Sequence, residues 1–248
     1  MSQTKPAIVF VPGAWHEPHV FDPVASILKS QGYKTVAVSL PSVGASPPLD
    51  DFQPDVAAVR DAIVSCVEAG SEVVVFAHSY GGAPSSEAIK GLTRSDLQSQ
   101  EKLGGVIHYV LCSAFLILEG FPSLDPEKGP LPPYKVVEDG TIITTIDPIT
   151  TFYNDLPRET AERYAAGLKR QSYKVFASKQ TYGAWRHVPT TYLYTDNDLA
   201  LPLLYQKMMV EGSGVAIKTE MFGAGHSPFL SLPEKAAESI RRAAGESV

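Results

Sequence analysis

One serine, one histidine and two aspartates have the neighbours that acyl transfer requires. In Val73-Val-Val-Phe-Ala-His-Ser79-Tyr-Gly-Gly82, an apolar β-branched run leads through small residues toward a helix. A serine on such a strand–turn–helix corner exposes its hydroxyl above a sheet edge, and small flanking residues let strand and helix approach closely. The new helix also turns free N–H groups and its positive dipole end toward a developing oxyanion. The usual Gly-x-Ser-x-Gly pattern has Ala77 in place of its first glycine, a difference of one methyl group. The plain alternative is an ordinary strand-to-helix turn. His78 beside Ser79 reads as a packing and hydrogen-bonding residue.

A base has to reach the same edge from another loop, and Gly223-Ala-Gly-His226-Ser-Pro228 offers one after the last apolar run. Glycines let that backbone turn sharply, and a neutral imidazole can take a serine proton and return it to a leaving group. A surface loop histidine is the plain alternative. The orienting acid should follow the preceding strand, where Thr195-Asp-Asn-Asp198 supplies two candidates. Asp198 lies further into the loop and can reach across to His226, whereas Asp196 could simply cap the turn. The order Ser79, Asp198, His226 is the order of the serine hydrolases built on a nucleophile elbow.

An oxyanion hole needs two N–H groups about 3 Å from the nascent charge. Tyr80, after the nucleophile, supplies one. Val11-Pro-Gly-Ala-Trp-His16 after the first apolar run supplies the other, with Ala14 as donor once Gly13 folds the loop back. Gly13, Trp15, His16, Phe115, Phe152 and Trp185 are expected to line a substrate pocket, as are Leu116, Phe121 and Tyr153, although each could equally be core. His19, His108 and His187 have no context that suggests chemistry.

The elements that must hold these residues show in the apolar pattern. Runs at Ala7–Val11, Thr35–Ser39, Glu72–Phe76, Val106–Cys112, Thr191–Thr195 and Val215–Met221 are continuous and not alternating, as in a parallel sheet covered on both faces. Helical stripes lie between them: Val20, Phe21, Val24, Ile27 and Leu28 before Gly32, and Val56, Val59, Ile63, Val64 and Val67 before Gly70. Ser231-Leu-Pro-Glu234 has the spacing of a capping box opening a last helix through Ile240. This alternation predicts an α/β fold with right-handed crossovers. Between about 115 and 187 the alternation stops and prolines accumulate. A hairpin is expected from Tyr134–Val137 and Thr141–Thr145, then helices near Arg158–Leu168 and Ser172–Lys179. The organisation is one domain over 1–248, a core of about 1–114 and 188–248 with a cap of about 115–187 inserted between strands.

The bulk numbers narrow the partners. The 248 residues are 44% hydrophobic and 19% charged, enough for one sizeable core. Lysine and arginine number 21 against 27 acids, a net charge of −6, so no basic footprint for nucleic acid exists. Cys66 and Cys112 lie in apolar runs without metal-ligand spacing, which suits buried thiols in a reducing compartment. No run reaches the roughly 18 apolar residues of a membrane span, and no leader-like segment is evident. The expectation is a cytoplasmic protein with no metal, no cofactor and no membrane partner, acting on a small-molecule ester or lactone. A homodimer is allowed for, with nothing in the sequence to specify it.

The chain resembles the plant-type methylesterase and hydroxynitrile lyase branch of the α/β-hydrolase superfamily and its microbial relatives, over nearly its whole length. The likeness rests on Phe10-Val-Pro-Gly-Ala-Trp15, Leu40-Pro-Ser-Val-Gly44, Ala77-His-Ser-Tyr-Gly81, Phe152-Tyr-Asn-Asp155, Thr195-Asp-Asn-Asp198 and Gly225-His226. It implies an α/β-hydrolase fold, a mostly parallel six-stranded sheet flanked by helices, with a small cap over an apolar pocket. It also favours Asp198 over Asp196 as the acid. Lyases of this branch carry threonine where this chain has Gly13 and lysine where it has Ser227, so hydrolysis is implied and cyanide release is not. Pro12 replaces the histidine common in the early loop. The expected reaction is ester or lactone hydrolysis of a small to medium apolar or aromatic substrate through an acyl-serine. The rival readings are carbon–carbon cleavage or a lyase reaction on the same triad, and a non-catalytic ligand receptor.

Overall fold

Residue parity along the strands sorts the core into two layers. In the computed structural model, which describes residues 5–124, 134–136, 140–145 and 147–248, six parallel strands form one sheet in the order β2-β1-β3-β4-β8-β9. These are β1 (Ala7–Val11), β2 (Thr35–Ala37), β3 (Glu72–His78), β4 (Gly105–Cys112), β8 (Thr190–Thr195) and β9 (Lys218–Phe222). Successive side chains leave a strand on opposite faces. Ile8, Phe10, Val74, Phe76, Val110 and Cys112 therefore pack with α1 (Asp22–Ser30), α8 (Pro228–Ser231) and α9 (Pro233–Ala243). Val9, Val11, Val73, Val75, Ala77, Tyr109 and Leu111 pack with α2 (Gln53–Glu68), α3 (Gly82–Ile89), α4 (Arg94–Gln98) and α7 (Leu203–Gly212).

The inner strands appear where the continuous apolar runs place them, and the edge strands are shorter than expected. β2 stops at Ala37 and β9 begins only at Lys218, because an edge strand pairs only where its single neighbour runs. Val215 and Ile217 instead pack against the core from the loop before β9. Gly32 and Gly70 follow α1 and α2 with φ of 86° and 78°, a backbone that costs glycine little.

The expected capping box is absent. Leu232 is at once the C-cap of α8 and the N-cap of α9, so Ser231 is consumed in the last turn of α8 and no side chain caps α9.

The segment between β4 and β8 builds its own small sheet, β5-β6-β7, from β5 (Tyr134–Val136), β6 (Thr141–Thr145) and β7 (Gln171–Ser172). β5 and β6 pair antiparallel as the hairpin reading expects; Val137, Glu138 and Asp139 lie outside the described residues. Two helices follow, α5 (Pro148–Tyr153) and α6 (Arg158–Ala166). The sequence reading missed α5, although Asp147 caps it by accepting from Thr150 N at 3.0 Å ahead of Pro148. The helix expected at Ser172–Lys179 is a short 3-10 turn, Tyr173–Ala177. Ser172 belongs to β7 and donates its N–H to Ser42 O at 3.0 Å, which binds this segment to the loop after β2.

Candidate active site

Ser79 sits on the corner between β3 and α3 with φ of 51°. A non-glycine residue in that region is strained, and such strain survives only where the surroundings impose it. Tight packing imposes it here. A Cβ on Gly81 would run into Pro12 O, and one on Gly82 into Phe115 O, so only glycine fits at either position. Phe115 N donates to Ser79 O at 2.9 Å and ties the end of β4 to the corner.

His226 arrives from the loop after β9. Its Nδ1–H donates to Asp198 Oδ2 at 2.8 Å, and both side chains are almost fully buried. Ala200 N and Leu201 N donate to the other carboxylate oxygen at 2.8 and 2.7 Å, while Thr195 Oγ1 and Gln206 Nε2 reach Oδ2 at 3.0 and 3.3 Å. Asp198 thus accepts hydrogen bonds at both oxygens, which fixes the orientation of its carboxyl group. With Nδ1 protonated, His226 keeps a lone pair on Nε2. The other candidate, Asp196, is exposed, and among the described residues its side chain accepts from neighbouring Asn197 Nδ2 at 3.1 Å and not from His226. The geometry therefore pairs His226 with Asp198.

His78 supports that histidine from below, its Nε2–H donating to His226 O at 2.9 Å with the rings 4.6 Å apart. Burial, reinforced by neighbouring His226, pushes its pKa well below the usual histidine range, so it stays neutral and structural. Above the loop, Asp155 Oδ2 accepts from Gly225 N at 2.8 Å, and Asn154 Nδ2 donates to Asn197 O at 3.0 Å. The end of α5 thereby holds both the histidine and the aspartate loops. The sequence shows Asn154 and Asp155 in a recognisable motif but gives them no role.

Ser79, His226, Ala14 and Tyr80 all face one cavity of about 880 Å³. The Ser79–His226 hydrogen bond is not formed among the described residues; such bonds are often long in unliganded sites and tighten with substrate. Trp15, Phe115 and Phe152 line the cavity as expected, with Leu116 and Phe121. Unforeseen are Phe176, Met208 and Met209, the methionines on α7, where sequence patterning showed no helix. No Asp, Glu, Lys or Arg is among the described lining residues.

Three expected pocket residues, and Tyr153 with them, are not in the cavity wall. Gly13 lies beneath it: an added Cβ would stand 2.9 Å from Ser79 Cβ and 3.0 Å from His78 Nδ1, so glycine here is required by close approach. His16 is turned inward, Nδ1–H donating to Ala14 O at 2.7 Å and Nε2 accepting from Tyr153 OH at 2.8 Å. Burial lowers its pKa to about 4. Trp185 is buried against its own turn, 2.8 Å from where a Gly183 Cβ would stand. Among the described residues no group of three or more His, Cys, Asp or Glu could hold a metal ion, and no helix is long and apolar enough to cross a membrane. Cys66 and Cys112 are buried free thiols.

Comparison with known proteins agrees with this architecture. The alpha/beta hydrolase family model matches residues 8–239. The alpha/beta hydrolase nvfD of Aspergillus novofumigatus is 36% identical over 249 residues, covering 98% of each chain. Polyneuridine aldehyde esterase superposes with a TM-score of 0.74 at 20% identity, over 96% of this chain and 98% of its own. A methylesterase from Arabidopsis gives 0.73 at 20%, over 97% and 99%. At that identity the last two speak for the fold, and the family model and the Aspergillus relative carry the assignment. The chain belongs to the alpha/beta hydrolase family.

Proposed function

We propose that the protein hydrolyses a carboxylic ester or lactone of a neutral, apolar substrate through an acyl-enzyme on Ser79. The observation that carries this reading is that His226, backed by buried Asp198, opens into the same cavity as a strained serine, with no Asp, Glu, Lys or Arg among the described lining residues. Ser79 Oγ attacks the carbonyl carbon while His226 Nε2 takes its proton, and Asp198 steadies the imidazolium that forms. The amides of Ala14 and Tyr80 hold the tetrahedral oxyanion. Collapse expels the alkoxide, which receives the proton from His226. Water then attacks the acyl-serine by the same route and frees the acid.

The segment between β4 and β8 acts as a cap, since Phe115, Phe152 and Phe176 reach the cavity from it. At about 880 Å³ the cavity is near the upper end of ordinary ligand pockets, roughly 300–1,000 Å³, which favours a medium-sized to large substrate. Polyneuridine aldehyde esterase and the Arabidopsis methylesterase, which share the fold, support the ester reading. Free Cys66 and Cys112 suit a reducing, cytoplasmic setting.

The test is stopped-flow hydrolysis of a p-nitrophenyl ester series. Wild type should release a burst near one equivalent, and Ser79→Ala should abolish it with a loss of ~10⁶ in kcat. Equal activity in both proteins would remove Ser79 from the mechanism. Products other than a carboxylic acid and an alcohol would point to carbon–carbon cleavage.

A further inference from the structure

A buried aspartate that the acyl-transfer steps do not use sits at the end of a chain of hydrogen bonds crossing behind the oxyanion loops. Asp55, in the first turn of α2, is fully buried. Its Oδ2 accepts from Tyr80 OH at 2.7 Å and Ser42 Oγ at 2.6 Å, and its Oδ1 from Ser42 N at 2.9 Å. Ser42 Oγ in turn accepts from Gln171 Nε2 at 2.7 Å, and Gln171 Oε1 accepts from Trp15 N at 3.2 Å. Ser42 and Gln171 are fully buried as well.

Two features separate this chain from core packing. First, its donors all run one way: Trp15 N–H to Gln171, Gln171 N–H to Ser42, and the Ser42 and Tyr80 hydroxyls to Asp55. Such a series needs a pure acceptor at its end, and aligned hydrogen bonds polarise one another. Second, its termini are the two sides of the oxyanion hole. Tyr80 carries one donor amide, and the Trp15 amide adjoins that of Ala14 in a loop where Trp15 has φ of 67°. Burying a carboxylate is costly and seldom stabilises more than an apolar replacement, so packing alone does not account for Asp55. Burial does raise its pKa, against the three hydrogen bonds that favour the charged form.

We propose that Asp55 is a positioning residue that fixes the spacing of the Tyr80 and Ala14 amides, through the Tyr80 hydroxyl on one side and through Ser42 and Gln171 on the other. This rests on the acyl-enzyme reading above. Oxyanion donors act by preorganisation, and a misplacement near 1 Å can cost ~100-fold in rate.

The experiment measures kcat and KM on p-nitrophenyl butyrate, inhibition by a trifluoromethyl ketone that forms a tetrahedral oxyanion on serine, and Tm, for Asp55→Asn, Tyr80→Phe and Gln171→Met. Each variant should lose ~10- to 100-fold in kcat with KM nearly unchanged. Ketone affinity should fall in step with kcat/KM, and Asp55→Asn combined with Tyr80→Phe should be no worse than Asp55→Asn alone. If Asp55→Asn fails to fold, the other two variants decide. A lowered Tm with unchanged kcat and ketone affinity in Tyr80→Phe and Gln171→Met would overturn the positioning role alone. Absence of Ser79-dependent turnover in wild type would overturn the acyl-enzyme reading and this proposal with it.

Discussion

The proposed acid–base side and the proposed oxyanion side of the site are both held by buried hydrogen bonds, yet they are assembled from very different parts of the chain. Asp198 draws on Thr195, Ala200, Leu201 and Gln206, separations of 2 to 8 residues, before it meets His226. The oxyanion side joins Ser42 to Asp55 and Tyr80 to Asp55 across 13 and 25 residues, then Gln171 to Ser42 and Trp15 across 129 and 156. The first arrangement is a strand end, its following turn and the start of α7, so it forms with β8 and α7. The second exists only after the segment between β4 and β8 has closed on the loops after β1 and β2. Local contacts form at little loop-closure cost, whereas distant ones depend on the whole fold. Damage in that segment should therefore reach the oxyanion side first.

The sharpest way to break the comparison is to remove the acid–base orientation and leave the other side intact. Asp198→Asn presents an amide to His226 Nδ1 and favours the wrong tautomer, so kcat should fall by ~10⁴. Turnover should persist ~10³-fold above the uncatalysed rate, supplied by the oxyanion hole and binding. Asp196→Asn should behave as wild type, because Asp196 is exposed and its side-chain hydrogen bond among the described residues is to Asn197. Side-by-side kcat/KM values settle this, and equal losses in the two variants would undo the assignment of the acid.

A smaller effect is expected where the β4–β8 segment touches the acid–base side. Asn154 and Asp155 are exposed, unlike Gln171, and bond to the loops that carry Asp198 and His226 respectively. A neutral bond such as that of Asn154 contributes about 1 kcal/mol, and a bond to an exposed carboxylate such as Asp155 about 1.5 kcal/mol. Asp155→Ala should then lower kcat by no more than ~10-fold, since the loop also keeps its Asp198 and His78 contacts. Laser-flash or stopped-flow acylation rates would resolve it. A loss approaching that of Asp198→Asn would mean that the loop depends on α5 and that the contrast between the two sides is false.

The same contrast explains what the sequence makes legible. Ser79, Asp198 and His226 stand in short stretches whose small residues and flanking apolar runs are themselves the signal, and the four inner strands of the main sheet follow from continuous apolarity, whereas the edge strands β2 and β9 match their runs only in part. Asp55 hides because an acid in a first helical turn is ordinary, favourable at the positive end of the helix dipole. Nothing near Ser42 or Gln171 in sequence points to a partner 129 residues away. Aromatic type alone also fails to tell wall from core: Phe176 faces the cavity and Trp185 does not. Ser231 shows the limit of motif spacing, since a capping box needs its serine at the N-cap, and here Ser231 ends α8 while Leu232 is the N-cap of α9.

His16 joins the two sides and gives the mildest test. It leaves the Ala14 loop, bonds Ala14 O, and accepts from Tyr153 on α5, the helix whose end holds the His226 loop. Its pKa falls from 6.5 to about 4, first because burial penalises the charged ring and then because His226 lies near. Between those values the unfolded chain binds a proton that the folded protein refuses. Stability contributed by His16 is thus fully present above pH 6.5 and is lost as pH falls toward 4, at up to ~1.4 kcal/mol per pH unit. His78 and His108, both also lowered by burial, act with the same sign, so His16→Gln should flatten the decline without removing it. Urea unfolding from pH 7.5 down to 4 measures this directly. The two proteins should run parallel above pH 7 and converge below 6.5. Parallel curves throughout would mean that His16 takes its proton in the folded state, and that the joint between the two sides is looser than its hydrogen bonds imply.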